Sequence, residues 1–303
     1  MLDQEIVNFS KKTKTKFLYN YNIKNFSWFN IGGNVKFFFK PESLDHLSQF
    51  LKEFGNKINI FVLGAGSNVL FNDKLFDGVV IKLGKNFSNI TLMPNNVVVA
   101  GAATTDKKLS KFAYENSIGG FEFLSCIPGT VGGGLKINSG CYGKEFKDIL
   151  VSIQVIDKHS GIIKTIPSTH IKFGYRKSDI DKNYIYLSAS FKGIEKEKSE
   201  ILKEINFLKK KKEISQPSKI KTGGSTFKNP QDKTQLKVWQ LIKKSVPLNT
   251  SFGDAAISEK HCNFLINKGN ATFKDMLNLI QFIEKNVESK TGVKLETEIE
   301  IID

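Results

Sequence analysis

The stretch EFLSCIPGTVGGGLKINSGCYG, residues 122–143, decides the fold. Six of its residues are glycine, and Gly120 stands just before it. A run so rich in glycine predicts irregular backbone, too glycine-rich for a stable helix and too long for a single turn. Because glycine lets bare N–H groups approach phosphate oxygens, the run indicates one wall of a site for a large or phosphorylated ligand. The alternative is a glycine-rich surface loop.

A second loop of the same character lies upstream and favours the ligand-site interpretation. It reads Leu63-Gly64-Ala65-Gly66-Ser67-Asn68 and follows a short apolar strand, predicted at 58–63. The pattern is not a dinucleotide-binding fingerprint of the Rossmann type, because the sixth position holds Val69 where glycine is required and no helix pattern follows.

Composition limits the class of protein. The chain has 303 residues, 40% hydrophobic and 25% charged, which is enough for about two globular domains. The net charge of +15 is spread along the chain and no nucleic-acid motif accompanies it, so a cationic enzyme for phosphorylated ligands is favoured over a nucleic-acid partner. No apolar run reaches the roughly 18 residues of a membrane span. Three cysteines without metal or disulfide spacing, and no signal peptide, predict a reduced, cytoplasmic protein that holds no metal.

Hydrophobic periodicity predicts an α+β chain. A polar helix or arm is expected at 1–20, and the charged run 194–214 predicts a solvated helix between two domains. Further helices are predicted at 43–54 with Ser43 as N-cap, 105–116, 232–245 and 272–290. Strands are predicted at 34–40, 58–63, 78–83, 96–100, 184–192 and 294–302, with a hairpin of 150–157 and 161–166.

Seven segments together carry a resemblance that no single motif supports. They are SWFNIGG (27–33), VLGAGSNVLFND (62–73), FEFLSCIPGTVGGGLKINSGCYG (121–143), FGYRKSDI (173–180), GGSTFKNP (223–230), DAAISEKHCNFLIN (254–267) and KLETEIEII (294–302). In this order and over nearly the whole chain, they resemble the UDP-N-acetylenolpyruvoylglucosamine reductase family (UDP-N-acetylmuramate dehydrogenases), flavin enzymes of peptidoglycan precursor synthesis.

The resemblance implies a domain organisation. Residues 1–195 would form a two-lobed FAD-binding unit of the vanillyl-alcohol-oxidase type, with lobes at about 1–83 and 84–195. Residues 196–217 would link it to a smaller α+β substrate-binding domain at 218–303, whose last strand returns to the active site. The chain has no tyrosine-loop insertion between Asn183 and Lys221, so it resembles the shorter subclass of the family.

The resemblance also implies the reaction and its cofactors. NADPH would reduce a non-covalently bound FAD, which would then reduce the enolpyruvyl group of UDP-N-acetylglucosamine enolpyruvate to UDP-N-acetylmuramate. The two glycine loops would hold the FAD through Gly64, Ala65, Gly66, Ser67, Asn68, Ile127, Pro128, Gly129, Thr130, Gly132 and Gly133.

Three catalytic residues are carried over by matching motifs. Ser225 of GGSTFKNP matches the family's proton donor, Arg176 of FGYRKSD its active-site arginine, and Glu298 of LETE its catalytic glutamate. A carboxylate beside a developing enolate requires protonation or a cation, so we expect Glu298 to have a raised pKa or a tight ion pair with Arg176. Glu296 and Glu298 would face the same side of a strand, so spacing alone does not separate them.

Tyr175, Lys228 and Asn229 are expected to bind substrate.

One alternative function is that of another FAD-dependent oxidoreductase on the same fold; the GGSTFKNP and LETE motifs speak against it. Another is a binding or regulatory protein that has lost catalysis, but Arg176, Ser225 and Glu298 are all present. No nucleic-acid, membrane or obligate protein partner is predicted.

Overall fold

The computed structural model describes residues 2–303, which form two compact units. Unit 1 comprises the chain up to Asn20, Lys36–Ala65 and Asp77–Lys211. Unit 2 comprises Tyr21–Val35, Gly66–Phe76 and Lys212–Asp303. The sequence interpretation kept 21–35 and 66–76 in the N-terminal domain, whereas here they pack with the C-terminal part of the chain. The functions assigned to the domains stay predictions.

The secondary structure is a mixture of helices and short strands, as the α+β prediction requires. The helices are α1 (Leu2–Thr13), α2 (Leu44–Phe54), α3 (Asp106–Glu115), α4 (Val131–Lys136), α5 (Lys198–Ser215), α6 (Val238–Ser245) and α7 (Phe273–Thr291). The strands are β1 (Phe17–Asn22), β2 (Asn34–Phe39), β3 (Ile60–Val62), β4 (Val69–Phe71), β5 (Phe76–Ile81), β6 (Ile90–Met93), β7 (Val97–Gly101), β8 (Ile118–Gly119), β9 (Gly140–Cys141), β10 (Lys144–Glu145), β11 (Leu150–Asp157), β12 (Ile163–Pro167), β13 (Phe173–Gly174), β14 (Lys177–Ser178), β15 (Tyr184–Lys192), β16 (Ile194–Glu195), β17 (Lys221–Ser225), β18 (Ser251–Phe252), β19 (Ala255–Ile257), β20 (Phe264–Asn267) and β21 (Glu300–Ile302).

A four-stranded sheet of order β1-β2-β5-β3, most of it in unit 1, lies under α1 and α2. Its core is rich in phenylalanine, with the rings of Phe17 and Phe39 stacked 4.4 Å apart. Helix α2 begins where the sequence predicts, because the hydroxyl of Ser43 accepts a hydrogen bond from the N–H of His46 at 3.1 Å. Strands β3 and β5 run parallel, so the loops after both strands leave from the same edge of the sheet.

A five-stranded antiparallel sheet of order β12-β11-β15-β7-β6 forms the rest of unit 1. Helix α3 packs on it through Leu109 and Ala113, and its N-cap is Thr105. The predicted hairpin is confirmed as β11 and β12, with Gly161 at φ +65° in the connection. Helix α5 is also confirmed, with Ile201, Ile205 and Leu208 buried; its linking role stays a prediction.

The glycine-rich stretch corrects one expectation, because it contains helix α4 where no helix was predicted. The sequence there is VGGGLK, and intrinsic preference opposes a helix. Tertiary packing overrides it: a Cβ on Gly134 would stand 2.4 Å from the ring of Phe146, so only glycine lets this helix approach that side chain. The helix completes the buried core of this sheet with Val131 and Leu135.

Unit 2 contains a four-stranded antiparallel sheet of order β17-β20-β19-β18, covered by α6 and α7. Helix α7 has the capping box that the sequence Thr272–Asp275 encodes, and it ends at Gly292 with φ +69°. A separate parallel pair joins β21 to β4, with Ile301 opposite Leu70.

The predicted strand at 294–302 is wrong over most of its length, since only Glu300–Ile302 are a strand. The preceding residues make one isolated bridge, Phe227 to Thr297. The predicted helix at 232–245 starts only at Val238. Within residues 2–303, no helix is both long and apolar enough to cross a membrane.

Candidate active site

The two glycine loops meet in unit 1. A Cβ on Gly64 would stand 2.8 Å from the hydroxyl oxygen of Thr130, and nothing else lies within 4 Å of it. The two predicted cofactor loops therefore share one cradle, in which a side chain at position 64 would take up space. Ile127 and Pro128, which precede Gly129 in the second loop, are half-buried.

The second loop is held by backbone hydrogen bonds that refine its expected role. The N–H of Val131 donates to the carbonyl of Thr104, and that of Gly132 to the carbonyl of Ala102, both at 2.9 Å. The amide of Gly132 is thus already committed and does not serve as the bare donor that the sequence interpretation expected. Gly132 is instead needed for space, because its Cβ would stand 3.1 Å from that of Ala102.

Lys82 is a residue of this region that sequence reasoning missed. It follows β5, and its Nζ donates to the carbonyl of Gly64 at 2.5 Å. Burial, with Lys40 nearby, lowers the pKa of its ammonium group. The parallel pairing of β3 with β5 places Lys82 beside the Gly64 loop. The sequence predicts strands in both places, but it does not show that they are neighbours.

Asp106 is a second missed residue, at the start of α3. It is fully buried, and neither carboxylate oxygen has a hydrogen-bond partner among the described residues. Burial raises the pKa of this carboxyl well above its ordinary value, because the charged form loses its hydration. A Cβ on Gly129 would stand 2.6 Å from Asp106 Oδ2, so glycine at 129 allows the turn to pass over the acid.

Arg176 lies on a tight hairpin between β13 and β14 in unit 1. Its φ of +54° is a left-handed conformation in which non-glycine residues are strained, by about 1–3 kcal/mol. Its Nη2 donates to the carbonyl of Gly140 at 2.8 Å, and its Nη1 stands 3.8 Å from Glu145 Oε1. The guanidinium also lies over the ring of Tyr175, at 5.0 Å from the ring centroid. Strain at a tethered, largely buried arginine is typical of a functional position.

Ser225 ends β17 in unit 2, after two glycines. Gly224 has φ +82°, and a Cβ on Gly223 would overlap the buried ring of Phe29 at 2.3 Å. Beyond the serine, Asn263 clamps the loop: its Oδ1 accepts from the N–H of Phe227 at 3.0 Å, and its Nδ2 donates to the carbonyl of Phe227 at 2.9 Å. Asn263 is buried and was missed, although it lies within the quoted segment 254–267.

The segment of Glu298 is bonded directly to the Ser225 loop. The N–H of Glu298 donates to the carbonyl of Thr226 at 2.7 Å, and that of Lys228 donates to the carbonyl of Glu296 at 2.9 Å. The side chain of Glu296 is 72% exposed and forms an ion pair with Lys228. Glu298 is half-buried. The two glutamates, which spacing could not separate, therefore occupy different environments.

Two further predicted residues make contacts within unit 2. Asn68 Nδ2 donates to the carbonyl of Glu298 at 2.9 Å, and its own carbonyl accepts from Glu300. Asn229 Oδ1 accepts from the N–H of Val238 at 3.0 Å, at the start of α6. Gly66, two residues before Asn68 in the first glycine loop, has φ +70° and passes so close to the carbonyl of Phe26 that a Cβ would overlap it.

His261 lies in the quoted segment 254–267 and packs against a neighbouring ring. Its ring packs edge-on against Phe264, and burial lowers the pKa of the imidazole. Within residues 2–303 no group of three His, Cys, Asp or Glu side chains is arranged to hold a metal.

The structure thus groups the predicted residues in two sets. Unit 1 brings together Gly64, Ala65, the loop 127–133 and Arg176 with Tyr175. Unit 2 brings together Ser225, Glu298, Lys228, Asn229 and Asn68. Their individual roles stay predictions.

Comparison with known proteins identifies the family. The FAD binding domain family matches residues 35–166, and the "UDP-N-acetylenolpyruvoylglucosamine reductase, C-terminal domain" family matches residues 216–302. UDP-N-acetylenolpyruvoylglucosamine reductase of Pelagibacter ubique is 59% identical over 99% of both chains. The enzyme of that name from Rickettsia canadensis is 44% identical over 95% of this chain and 96% of the relative. A crystal structure of the Thermus caldophilus reductase superposes with a TM-score of 0.81 at 29% identity, covering 95% of this chain and 99% of that one.

The α+β fold and the match to the FAD binding domain family define an FAD-dependent oxidoreductase. The resemblance seen in the sequence is confirmed over both parts of the chain. The chain belongs to the UDP-N-acetylenolpyruvoylglucosamine reductase family.

Proposed function

We propose that this chain uses NADPH to reduce the enolpyruvyl group of UDP-N-acetylglucosamine enolpyruvate to UDP-N-acetylmuramate, in peptidoglycan precursor synthesis. The observation that carries the proposal is the hydrogen bond from Glu298 N–H to the carbonyl of Thr226, which joins the two substrate-half motifs beside Ser225.

The chain's contribution to cofactor binding is a shaped cradle. Gly64 leaves space that a Cβ would fill, beside the hydroxyl of Thr130, whereas Gly129 and Gly132 let the backbone pass close to Asp106 and Ala102. These residues fit a flat, phosphorylated group, and we assign them, with Ala65, Gly66, Ser67, Asn68, Ile127, Pro128 and Gly133, to non-covalent FAD. Bound FAD supplies hydride transfer from NADPH to the enolpyruvyl β-carbon.

Ser225 supplies the proton. Hydride addition at the β-carbon leaves enolate character next to the carboxylate, and the hydroxyl of Ser225 protonates the α-carbon. An alkoxide is a poor product at neutral pH, so neighbouring donors and cations must stabilise it as it forms. The loop around Ser225 is fixed by Asn263 and by the Glu298 segment, which preorganises the hydroxyl.

Arg176 and Glu298 manage charge in the proposed reaction. The planar guanidinium of Arg176 binds the enolpyruvyl carboxylate and stays charged throughout the cycle. Glu298 acts as a neutral acid or as the partner of a cation, because an isolated carboxylate would oppose the developing enolate. Tyr175, Lys228 and Asn229 bind the UDP-linked substrate, and the reaction takes place in the cytoplasm.

The test separates the two half-reactions in the Ser225→Ala enzyme. We expect flavin reduction by NADPH within twofold of the wild-type rate, and flavin reoxidation by substrate slower by about 10²–10⁴-fold, the usual contribution of a positioned acid. Ser251→Ala, a change at an exposed serine of the same unit, is the control and should leave both rates unchanged. Equal losses in both half-reactions of Ser225→Ala would refute the assignment, as would purified protein that takes up no FAD.

A further inference from the structure

The guanidinium of Arg176 is held by a network that extends beyond the residues assigned so far. Its side chain is 17% exposed, with Nη2 bonded to the carbonyl of Gly140 at 2.8 Å and Nη1 facing Glu145 Oε1 at 3.8 Å. The second contact is an ion pair but too long for a hydrogen bond, so it attracts the guanidinium without locking that edge.

Glu145 divides its two oxygens between different partners. Oε2 accepts from Asn138 Nδ2 at 3.0 Å and contacts Lys147 Nζ at 2.9 Å. Oε1 faces Arg176. With Oε2 committed on both sides, the carboxylate has one orientation, and Oε1 points in a fixed direction. The N–H of Glu145 is also tied, to Asp148 Oδ2 at 2.9 Å.

Asn138 connects this carboxylate to the backbone of the arginine hairpin. It is fully buried, and its Nδ2 donates both to Glu145 Oε2 and to the carbonyl of Gly174 at 3.1 Å. Gly174 lies two residues before Arg176. Asn138 Oδ1 accepts from the N–H of Lys147 at 3.1 Å. One amide therefore fixes both the turn that carries the arginine and the carboxylate that faces it.

The charge of Glu145 is divided between two partners. Its carboxylate faces two cations, Arg176 and Lys147, and Asp148, bonded to the N–H of Glu145, is a second acid of the cluster. The arginine is aimed by the carboxylate without being neutralised by it.

We propose that Glu145, oriented by Asn138, is a positioning residue that aims the Arg176 guanidinium at the substrate carboxylate. The inference rests on the proposed function of Arg176. Glu145 does not touch the reacting atoms; it holds the direction of a side chain that does. A displacement of about 1 Å in such a group is enough to lower a rate by about 10²-fold.

The experiment compares Glu145→Gln with Glu115→Gln in the FAD-loaded enzyme. Glu115 is exposed and pairs with Lys111 at 3.4 Å on helix α3, so the same chemical change there is a surface control. For Glu145→Gln we expect flavin reduction by NADPH unchanged within twofold and substrate-dependent reoxidation slowed by about 10–100-fold. The KM for the enolpyruvyl substrate should not rise, because removing the negative charge leaves the cluster more positive. Glu145→Asp should recover part of the rate.

A double substitution separates positioning from mere stability. If Glu145 acts through Arg176, then Glu145→Gln in the Arg176→Lys background should cost less than twofold beyond Arg176→Lys alone. Three results would overturn the inference without touching the proposed role of Arg176. They are a loss in the double variant equal to the product of the two single losses, a slower NADPH half-reaction in Glu145→Gln, and a wild-type reoxidation rate in Glu145→Gln. A fully active Arg176→Lys enzyme would overturn the proposed role of Arg176 and this inference with it.

Discussion

Replacing Gly223 with alanine tests how the Ser225 loop is held. The new Cβ would lie 2.3 Å from Cε2 and 2.7 Å from Cζ of Phe29. That ring is fully buried in the core of unit 2, and the backbone carbonyl of Phe29 is held by Asn267 Nδ2 at 2.9 Å. Neither partner of the clash can therefore move away freely.

The size of the effect follows from comparison with two other glycines of unit 2. Forcing a methyl group into a filled core destabilises by about 1–3 kcal/mol, and contacts this short favour the upper end. At Gly224 and Gly292 nothing lies within 4 Å, but φ is +82° and +69°, so alanine there adds only backbone strain of about 1 kcal/mol. We expect Gly223→Ala to lower the free energy of unfolding by about 3 kcal/mol.

Urea unfolding followed by tryptophan fluorescence is suited to the measurement, because both tryptophans, Trp28 and Trp239, lie in unit 2. The decisive control is Phe29→Leu, which removes the ring atoms that the methyl group meets. In that background Gly223→Ala should cost clearly less than in the wild type. Equal costs in the two backgrounds, or a loss no larger than that of Gly292→Ala, would refute the steric argument.

Two further changes test buried polar groups. Asn263→Ala leaves both backbone groups of Phe227 without partners and should cost about 2–3 kcal/mol in urea unfolding; a loss equal to that of the exposed Asn270→Ala would contradict it. Asp106 has a folded-state pKa above its unfolded value, so the wild type binds more protons when folded and loses stability as pH rises from about 4 through the raised pKa. Asp106→Asn lacks that loss, so its free energy of unfolding relative to wild type should increase, as pH rises, by up to about 1.4 kcal/mol per pH unit. If the two proteins instead show parallel stability curves against pH by circular dichroism, this role of Asp106 is excluded.

The elements that sequence reasoning predicted well are those specified locally. The hydroxyls of Ser43 and Thr105 cap their helices by accepting a hydrogen bond from the backbone N–H three residues further on. Such a short spacing can be recognised in the sequence alone. The strand at 184–192 is likewise encoded by its own alternation of buried and half-buried residues. The family motifs then indicated the class of enzyme, because seven motifs in the same order do not match a family by chance.

What the sequence could not reveal depends on residues distant along the chain. Helix α4 exists because Phe146 packs where Gly134 has no side chain. Glu296 differs from Glu298 because Lys228, in another segment, pairs with the first of them. Asp106 looks in the sequence like an ordinary first-turn acid, but it is buried and the turn at Gly129 passes close to its carboxylate. In each case tertiary contact, rather than local preference, decides the outcome.

The parallel pair of β4 with β21 has a consequence for how the protein is made. Asn68 and Glu298, which are bonded beside this pair, are separated by 230 residues along the chain. Contacts between such distant residues form late in folding, since closing a large loop costs conformational entropy before the contact can stabilise the fold. While the ribosome is still adding the second half of the chain, β4 has no neighbour on the side that β21 will occupy, and an unpaired strand edge invites pairing with other chains. The edge of β4 is therefore covered only after residues 300–302 have been synthesised and have folded back onto it.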